Sequence, residues 1–341
     1  MKKFETPKHY DASKADQVYK ISYQNLAEDA LAYKKNHAIT DAATDKFKIA
    51  LMPIDVQNTF CIPGFELFVG GAPEDSKCLA EFIYANSGRI SKIFPTMDTH
   101  KAMQIFHSIF FLDASGNHVS AGTMISSDDL INDKYIVNPG VAASLGVSYT
   151  ILRKHVIHYA QSLEKKGKDK LMIWPYHAML GGIGHALVAI IEEAIFFHTV
   201  ARNSESGTEI KGGNPLTENY SVLSPEVLDT FNGTAIAQRN ASFIQKLLDY
   251  DMLIIAGQAK SHCVAWTIDD LLTDIMAKDP SLAKKVYLME DCTSPVIIPG
   301  IVDFTDQANQ AFEKFRNAGM HIVKSTDPID QWPDVDGNKI M

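Results

Sequence analysis

The sequence predicts an α/β fold of three layers, α/β/α, with a mostly parallel, doubly wound central sheet. Three observations predict it: short apolar runs recur along the chain, amphipathic helical segments separate them, and polar or thiol side chains stand where the runs end. A strand covered on both faces reads as a continuous apolar run, and parallel neighbours need a crossover long enough to hold a helix.

The elements follow in order. Residues 1–45 read as a polar, partly helical extension, "QNLAEDALAYKKNHAITDAATD". The predicted strands are "FKIALMPID" (47–55), "KIFPTMD" (92–98), "KLMIW" (170–174), "TEIKG" (208–212), "MLIIAG" (252–257), "VYLMED" (286–291) and "MHIVKS" (320–325). Helical periodicity marks "EDSKCLAEFIYANSG" (74–88), "SYTILRKHVIHYAQSLEKKG" (148–167), "HALVAIIEEAIFFHTVAR" (185–202), "ASFIQKLLDY" (241–250), "AWTIDDLLTDIMAK" (265–278) and "TDQANQAFEKFRNAG" (305–319). Ligands of such sheets bind at the carboxyl ends of strands. There the first run carries Asp55 and the second Asp98 and His100. The third leads to His177, the fourth holds Lys211, and the fifth precedes Cys263.

Composition narrows the classes. At 46% hydrophobic and 21% charged, 341 residues suffice for a full core in one large domain or two smaller ones. The formal net charge of −9 is spread along the chain, so no nucleic-acid partner is expected. No stretch is apolar for long enough to span a bilayer, and "MKKFETPKHYDASKADQ" lacks a signal-peptide core, so a cytoplasmic protein without membrane contact is expected. Cysteines 61, 78, 263 and 292 form no CxxC pair and read as free thiols. "GGIGHA" (181–186) fits neither nucleotide-binding glycine motif.

Cys263 has a setting the other cysteines lack. A free cysteine is most often a small buried residue. In "LIIAGQAKSHCVAWTIDDLL", however, the thiol follows a strand and opens a predicted helix, whose free N–H groups favour a thiolate and can hold an oxyanion. A nucleophile also needs a base and a charge partner. His262 is adjacent, but sequence neighbours at such a junction point apart, which leaves Asp55 and Lys211 as candidates.

A second constellation suits a metal. In "DTH", Asp98 and His100 fall on one side of an extended segment, and His177 supplies a third ligand. One carboxylate and two imidazoles leave coordination positions open; zinc suits the set best, with iron or manganese as alternatives. Without a metal the same residues would bond to one another or to backbone. His107, seven residues from His100, would be a further ligand if helical but reads first as a support for the loop, and His155 and His158 read as surface.

Five stretches taken in order, "IDVQNTF" with "PGFELFVGGA", "DTHKAMQIFHSIFF", "WPYHAMLGGIGHA", "KGGNPLTENYS" and "AGQAKSHCVAWTIDDLL" followed by "VYLMEDCTS", resemble the isochorismatase-like cysteine hydrolases, in particular the nicotinamidase-like branch. The resemblance implies a catalytic triad of Asp55, Lys211 and Cys263 and a metal site of Asp98, His100 and His177. It also implies an oxyanion hole from the N–H groups of Ala259 and Cys263, with a cis peptide before Ala259. Phe60 and Trp174 would hold a pyridine ring whose nitrogen binds the metal. The implied reaction hydrolyses nicotinamide to nicotinate and ammonia through a cysteine thioester, placing the protein in NAD metabolism.

Several positions depart from the pattern: Ala178 replaces a cysteine, Gly182 a small hydroxyl residue and His185 an alanine, and "AKSH" replaces an "ATDY"-like segment. The resemblance covers roughly 46–112 and 169–325. Residues 46–341 are therefore read as one hydrolase domain with an inserted segment at about 112–168. A small-molecule amide substrate and a homo-oligomer are expected. Alternatives are another small carboxamide or ureido substrate, or a non-catalytic binding protein of the same fold.

Overall fold

The computed structural model describes residues 4–165, 170–298, 300 and 302–337. The start of the N-terminal extension and positions 166–168 of the inserted segment lie outside the described residues. The chain divides into two compact units, 1–97 with 186–209 and 241–341, and 98–185 with 210–240. This is a finer division than the one domain expected for residues 46–341.

The first unit is built on a five-stranded parallel sheet in the order His321–Val323, Val286–Met289, Met252–Gly257, Ile49–Ile54, Ile90–Ile93. The two longest strands lie at its centre and pair from Ile49 with Met252 to Ile54 with Gly257. Every residue of both is buried. Ile49 and Leu51 join Ile254 in one core cluster with Leu79, Ile83, Ile190, Ala194 and Phe197 of helices Ala72–Ala85 and Ala189–Arg202. Ala50, Met52, Leu253 and Ile255 belong to the opposite face and are equally buried. Helices Ala265–Lys278 and Thr305–Asn317, which pack together, bury Ile268, Leu271, Ile275, Phe312 and Phe315. Burial of alternate residues on both faces is why these strands read as continuous apolar runs.

The N-terminal extension is integral to this unit. Its helix Tyr23–His37 buries Leu26 and Ala30 against Ala189–Arg202. The fully buried Arg202 reaches back to the carboxylate of Asp45, 2.6 Å from Nη2 to Oδ1, and to the Thr40 carbonyl.

The second unit has no large sheet among the described residues. Phe111–Asp113 pairs antiparallel with Tyr135–Val137, and Met124–Ile125 with Leu171–Met172. The run 170–174, expected in the central sheet, therefore lies outside it: only two of its residues form strand, and they pair with a segment of the insert. Helix Tyr149–Lys165 buries Leu152, Val156, Tyr159, Ala160 and Leu163. His155, read from the sequence as surface, is a correction: it is buried on that same face, with Nε2 2.8 Å from the Leu216 carbonyl. Arg153 and Lys154 precede it directly, but in a helix the residues that share its face are Leu152 and Tyr159, three before and four after.

Candidate active site

In the first unit, Asp55 ends the central strand Ile49–Ile54 and turns out of it with φ 47°. It is fully buried; its N–H donates to the Thr96 carbonyl at 3.2 Å, and the Thr96 hydroxyl donates to Oδ1 at 2.5 Å. Thr96 thus holds both the main chain and the carboxylate of Asp55. Phe60 is buried in the short helix Asn58–Cys61 that follows.

Cys263 lies beyond the neighbouring strand Met252–Gly257. Gly257, at φ 111°, crosses so close to that strand's partner that a Cβ would stand 2.2 Å from the Ile54 carbonyl oxygen. The Gln258–Ala259 peptide is cis, as the resemblance implies. The Ala259 carbonyl then accepts from the N–H groups of both His262 (3.0 Å) and Val264 (3.2 Å), and residues 260–264 form a π-helical turn. Cys263 sits in that turn rather than at the start of helix Ala265–Lys278, and is 7% exposed. The side chains of the unusual "KSH" segment turn onto residues 296–312. Lys260 reaches Asn309 (3.0 Å) and the Phe312 ring, Ser261 accepts from the Val296 N–H (3.0 Å), and the His262 ring stands edge-on to Phe304. Burial pushes His262 down to about 4, so it is neutral at pH 7.

In the second unit, Asp98, His100 and His177 converge. All three are buried, and one ligand atom of each lies within 4.8 Å of the others. Nδ1 of His100 is 3.2 Å from the Gly212 carbonyl and Nδ1 of His177 is 2.8 Å from the Pro175 carbonyl. Carbonyls only accept, so each Nδ1 carries a hydrogen and each Nε2 is left to face the carboxylate. His100 Nε2 is 2.7 Å and His177 Nε2 3.5 Å from Asp98 Oδ2. Lone pairs and a carboxylate at these distances need a cation among them, either a proton on an imidazole or a metal ion; the donor set fits a divalent metal. Burial alone would raise the Asp98 carboxyl, but the positive charge that a protonated His100 brings beside it, with the Lys211 ammonium, holds it well below the usual range.

Lys211 is buried and donates to Asp98 Oδ1 and to the Asn219 carbonyl, both at 2.9 Å. Trp174 is buried, its Nε1 donating to the Tyr220 hydroxyl at 3.0 Å. His107 supports the loop as expected: Nδ1 meets the carbonyls of Lys101 and Ala102, each at 3.1 Å. The departure at His185 has a partner, with Nε2 2.8 Å from the Thr99 hydroxyl oxygen.

Two supporting residues escaped the sequence reading. Gly212 passes so close to the metal-ligand set that a Cβ would stand 2.7 Å from His100 Cε1 and 2.9 Å from Asp98 Oδ1. The "KGG" after the strand was its only signal. Gln104, whose Nε2 donates to the same Gly212 carbonyl that holds His100, lies in the apolar "AMQIF" and gives no signal.

The α/β fold is that of a solved nicotinamidase/pyrazinamidase. The nicotinamidase/pyrazinamidase of Acinetobacter baumannii aligns over 82% of this chain and 97% of its own, at 18% identity and TM-score 0.50. The yeast nicotinamidase aligns over 81% and 99% (18%, TM-score 0.49), and the zinc-complexed pyrazinamidase of Pyrococcus horikoshii over 81% and 99% (17%, TM-score 0.44). No family model and no curated protein matches the sequence.

Proposed function

We propose that the protein is a metal-dependent amide hydrolase that converts nicotinamide and water to nicotinate and ammonia. The observation that carries this is the buried set of Asp98, His100 and His177, whose tautomers present two imidazole nitrogens and a carboxylate oxygen toward one point. The five sequence motifs and the fold agree with it. Asp98, His100 and His177 would hold the metal, with zinc the first choice and iron or manganese next. When bound, it supplies a Lewis acid that orients a ring nitrogen.

The chain's own groups carry the reaction in this reading. Asp55 takes the Cys263 proton, and the thiolate attacks the carboxamide carbon. N–H groups of Ala259 and Cys263 hold the oxyanion, and the proton on Asp55 passes to the departing ammonia. Asp55 then draws a proton from water as its oxygen attacks the thioester carbon. Nicotinate leaves, and the proton returns to the Cys263 sulfur. Lys211 balances the carboxylate charge, while Phe60 and Trp174 serve as ring contacts.

A different small carboxamide or ureido substrate is the second reading, favoured by His185 bonded to Thr99 between the metal ligands. Ammonia release by the purified protein from nicotinamide and from a carboxamide panel tests both. Nicotinamide turnover that is lost in Cys263→Ala and on chelation, then restored by zinc, is expected. No release from nicotinamide at high protein concentration refutes the first reading, and turnover surviving in Cys263→Ala refutes the thiol mechanism.

A further inference from the structure

Behind the Cys263 turn lies a buried polar pair that an apolar core has no evident use for. Asp75, in the first turn of helix Ala72–Ala85, is 7% exposed, and Gln258 is 1% exposed. Gln258 Nε2 donates to Asp75 Oδ2 at 2.7 Å, while Gln258 Oε1 has no hydrogen-bond partner among the described residues. A half-satisfied buried amide and a buried carboxylate both cost stability, so two apolar side chains would serve a merely structural purpose better. Local rules broken in this way cluster at functional sites.

The pair is tied to the nucleophile turn from two sides. Gln258 directly precedes Ala259, whose carbonyl accepts from His262 and Val264 and so frames Cys263. Asp75 also bonds to the Ser294 side chain, and the Ser294 carbonyl accepts from the Lys260 N–H at 2.8 Å. One carboxylate thus grips residue 258 directly and residue 260 through residue 294. Ser294 is seated against Gly71, where a Cβ would stand 2.1 Å from its Oγ.

We propose that Asp75 is a positioning residue, which through Gln258 and Ser294 holds the turn that presents the Cys263 thiol. The proposal rests on the reading of Cys263 as the nucleophile.

The groups around Asp75 make its action pH-dependent. Burial is the main influence and pushes its carboxyl up to about 6, against the hydrogen bonds from Gln258 and Ser294 and with the help of Asp291 and Glu74. Lys260, Cys61 and Cys78 also feel its charge. Above about pH 6 the carboxylate accepts from Gln258 Nε2; below it the added proton displaces one of these donors.

The test is the rate at which iodoacetamide alkylates Cys263 in the full chain, followed by mass spectrometry of its peptide from about pH 5 to about pH 8. Wild type should show an inflection near pH 6 besides the thiol's own ionisation. Asp75→Asn, which keeps an acceptor but cannot titrate, should lose that inflection and keep the neutral-pH rate within about twofold. Asp75→Ala should lower both alkylation and kcat about tenfold or more, with KM within about twofold, because the turn is displaced while substrate contacts stay. An inflection that persists in Asp75→Asn overturns the proposal. So does wild-type alkylation in Asp75→Ala with an unchanged circular dichroism spectrum; if that variant does not fold, the asparagine profile decides alone. Alkylation needs no substrate, so a protein that hydrolyses no carboxamide would refute the proposed function and leave this test standing.

Discussion

The two compact units hold their chemistry by different means. In the first, Asp55 and the Cys263 turn continue two adjacent strands that are buried along their whole length and joined by an unbroken ladder from Ile49 to Gly257. In the second, Asp98 and Lys211 end short strands, His100 sits on an isolated bridge and His177 in a loop, and each other's charges and backbone carbonyls hold them. A hydrophobic sheet fixes position by packing, which tolerates small changes of charge. A buried ionic set fixes position by balance, which one deletion upsets.

The largest expected effect breaks that balance. Lys211→Met leaves Asp98 buried without its ammonium partner and should cost about 4 kcal/mol in urea unfolding. A loss below about 1 kcal/mol would show that the second unit is held by packing as well.

Acid should act next, and on both units: burial also pushes His107 of the second down to about 3. Burial pushes His198 and His262 down to about 4, so each loses stability as the pH falls from about 6.5 to about 4, roughly 3 kcal/mol apiece. Asp75 has the opposite sign: its raised carboxyl makes the fold more stable as the pH falls through about 6 toward about 4, by a similar amount. The acid loss over that window should be smaller by about 3 kcal/mol in His262→Phe. An acid limb unchanged by that substitution would remove His262 from the account.

Gly257→Ala comes third. It places a Cβ against the Ile54 carbonyl at a φ that disfavours side chains, and should cost about 2 kcal/mol in thermal unfolding. A neutral result would mean that the strand end yields, and that the first unit is less rigid than its ladder suggests.

The smallest effect is on the exposed face. Asp269 and Lys314 pair across helices Ala265–Lys278 and Thr305–Asn317, and Asp269→Ala should change the unfolding free energy by about 0.5 kcal/mol or less. More than that would show that exposed ion pairs also hold the first unit.

Much of this was legible in the sequence where one residue's neighbours decide its role. The runs 47–55, 252–257 and 286–291 became central strands because burial on both faces demands continuous apolar side chains. Other runs misled. "KLMIW" has the same character but pairs outside the sheet, because hydrophobicity says that a strand is buried and not which partner buries it. His155 was misread because Arg153 and Lys154 beside it signal exposure only for the faces they occupy.

By itself, the sequence determined the apolar strands, the helices between them, the thiol after the central strand and the spacing of Asp98, His100 and His177. These are local properties of residue type and period. Only the tertiary structure decided the tautomers of the metal-ligand histidines, the closeness that requires Gly212, the division into two units and the buried link from Asp75 to the turn of Cys263. Each depends on atoms far apart in the chain: 183 positions separate Asp75 from Gln258, and no local pattern encodes a contact that only folding makes.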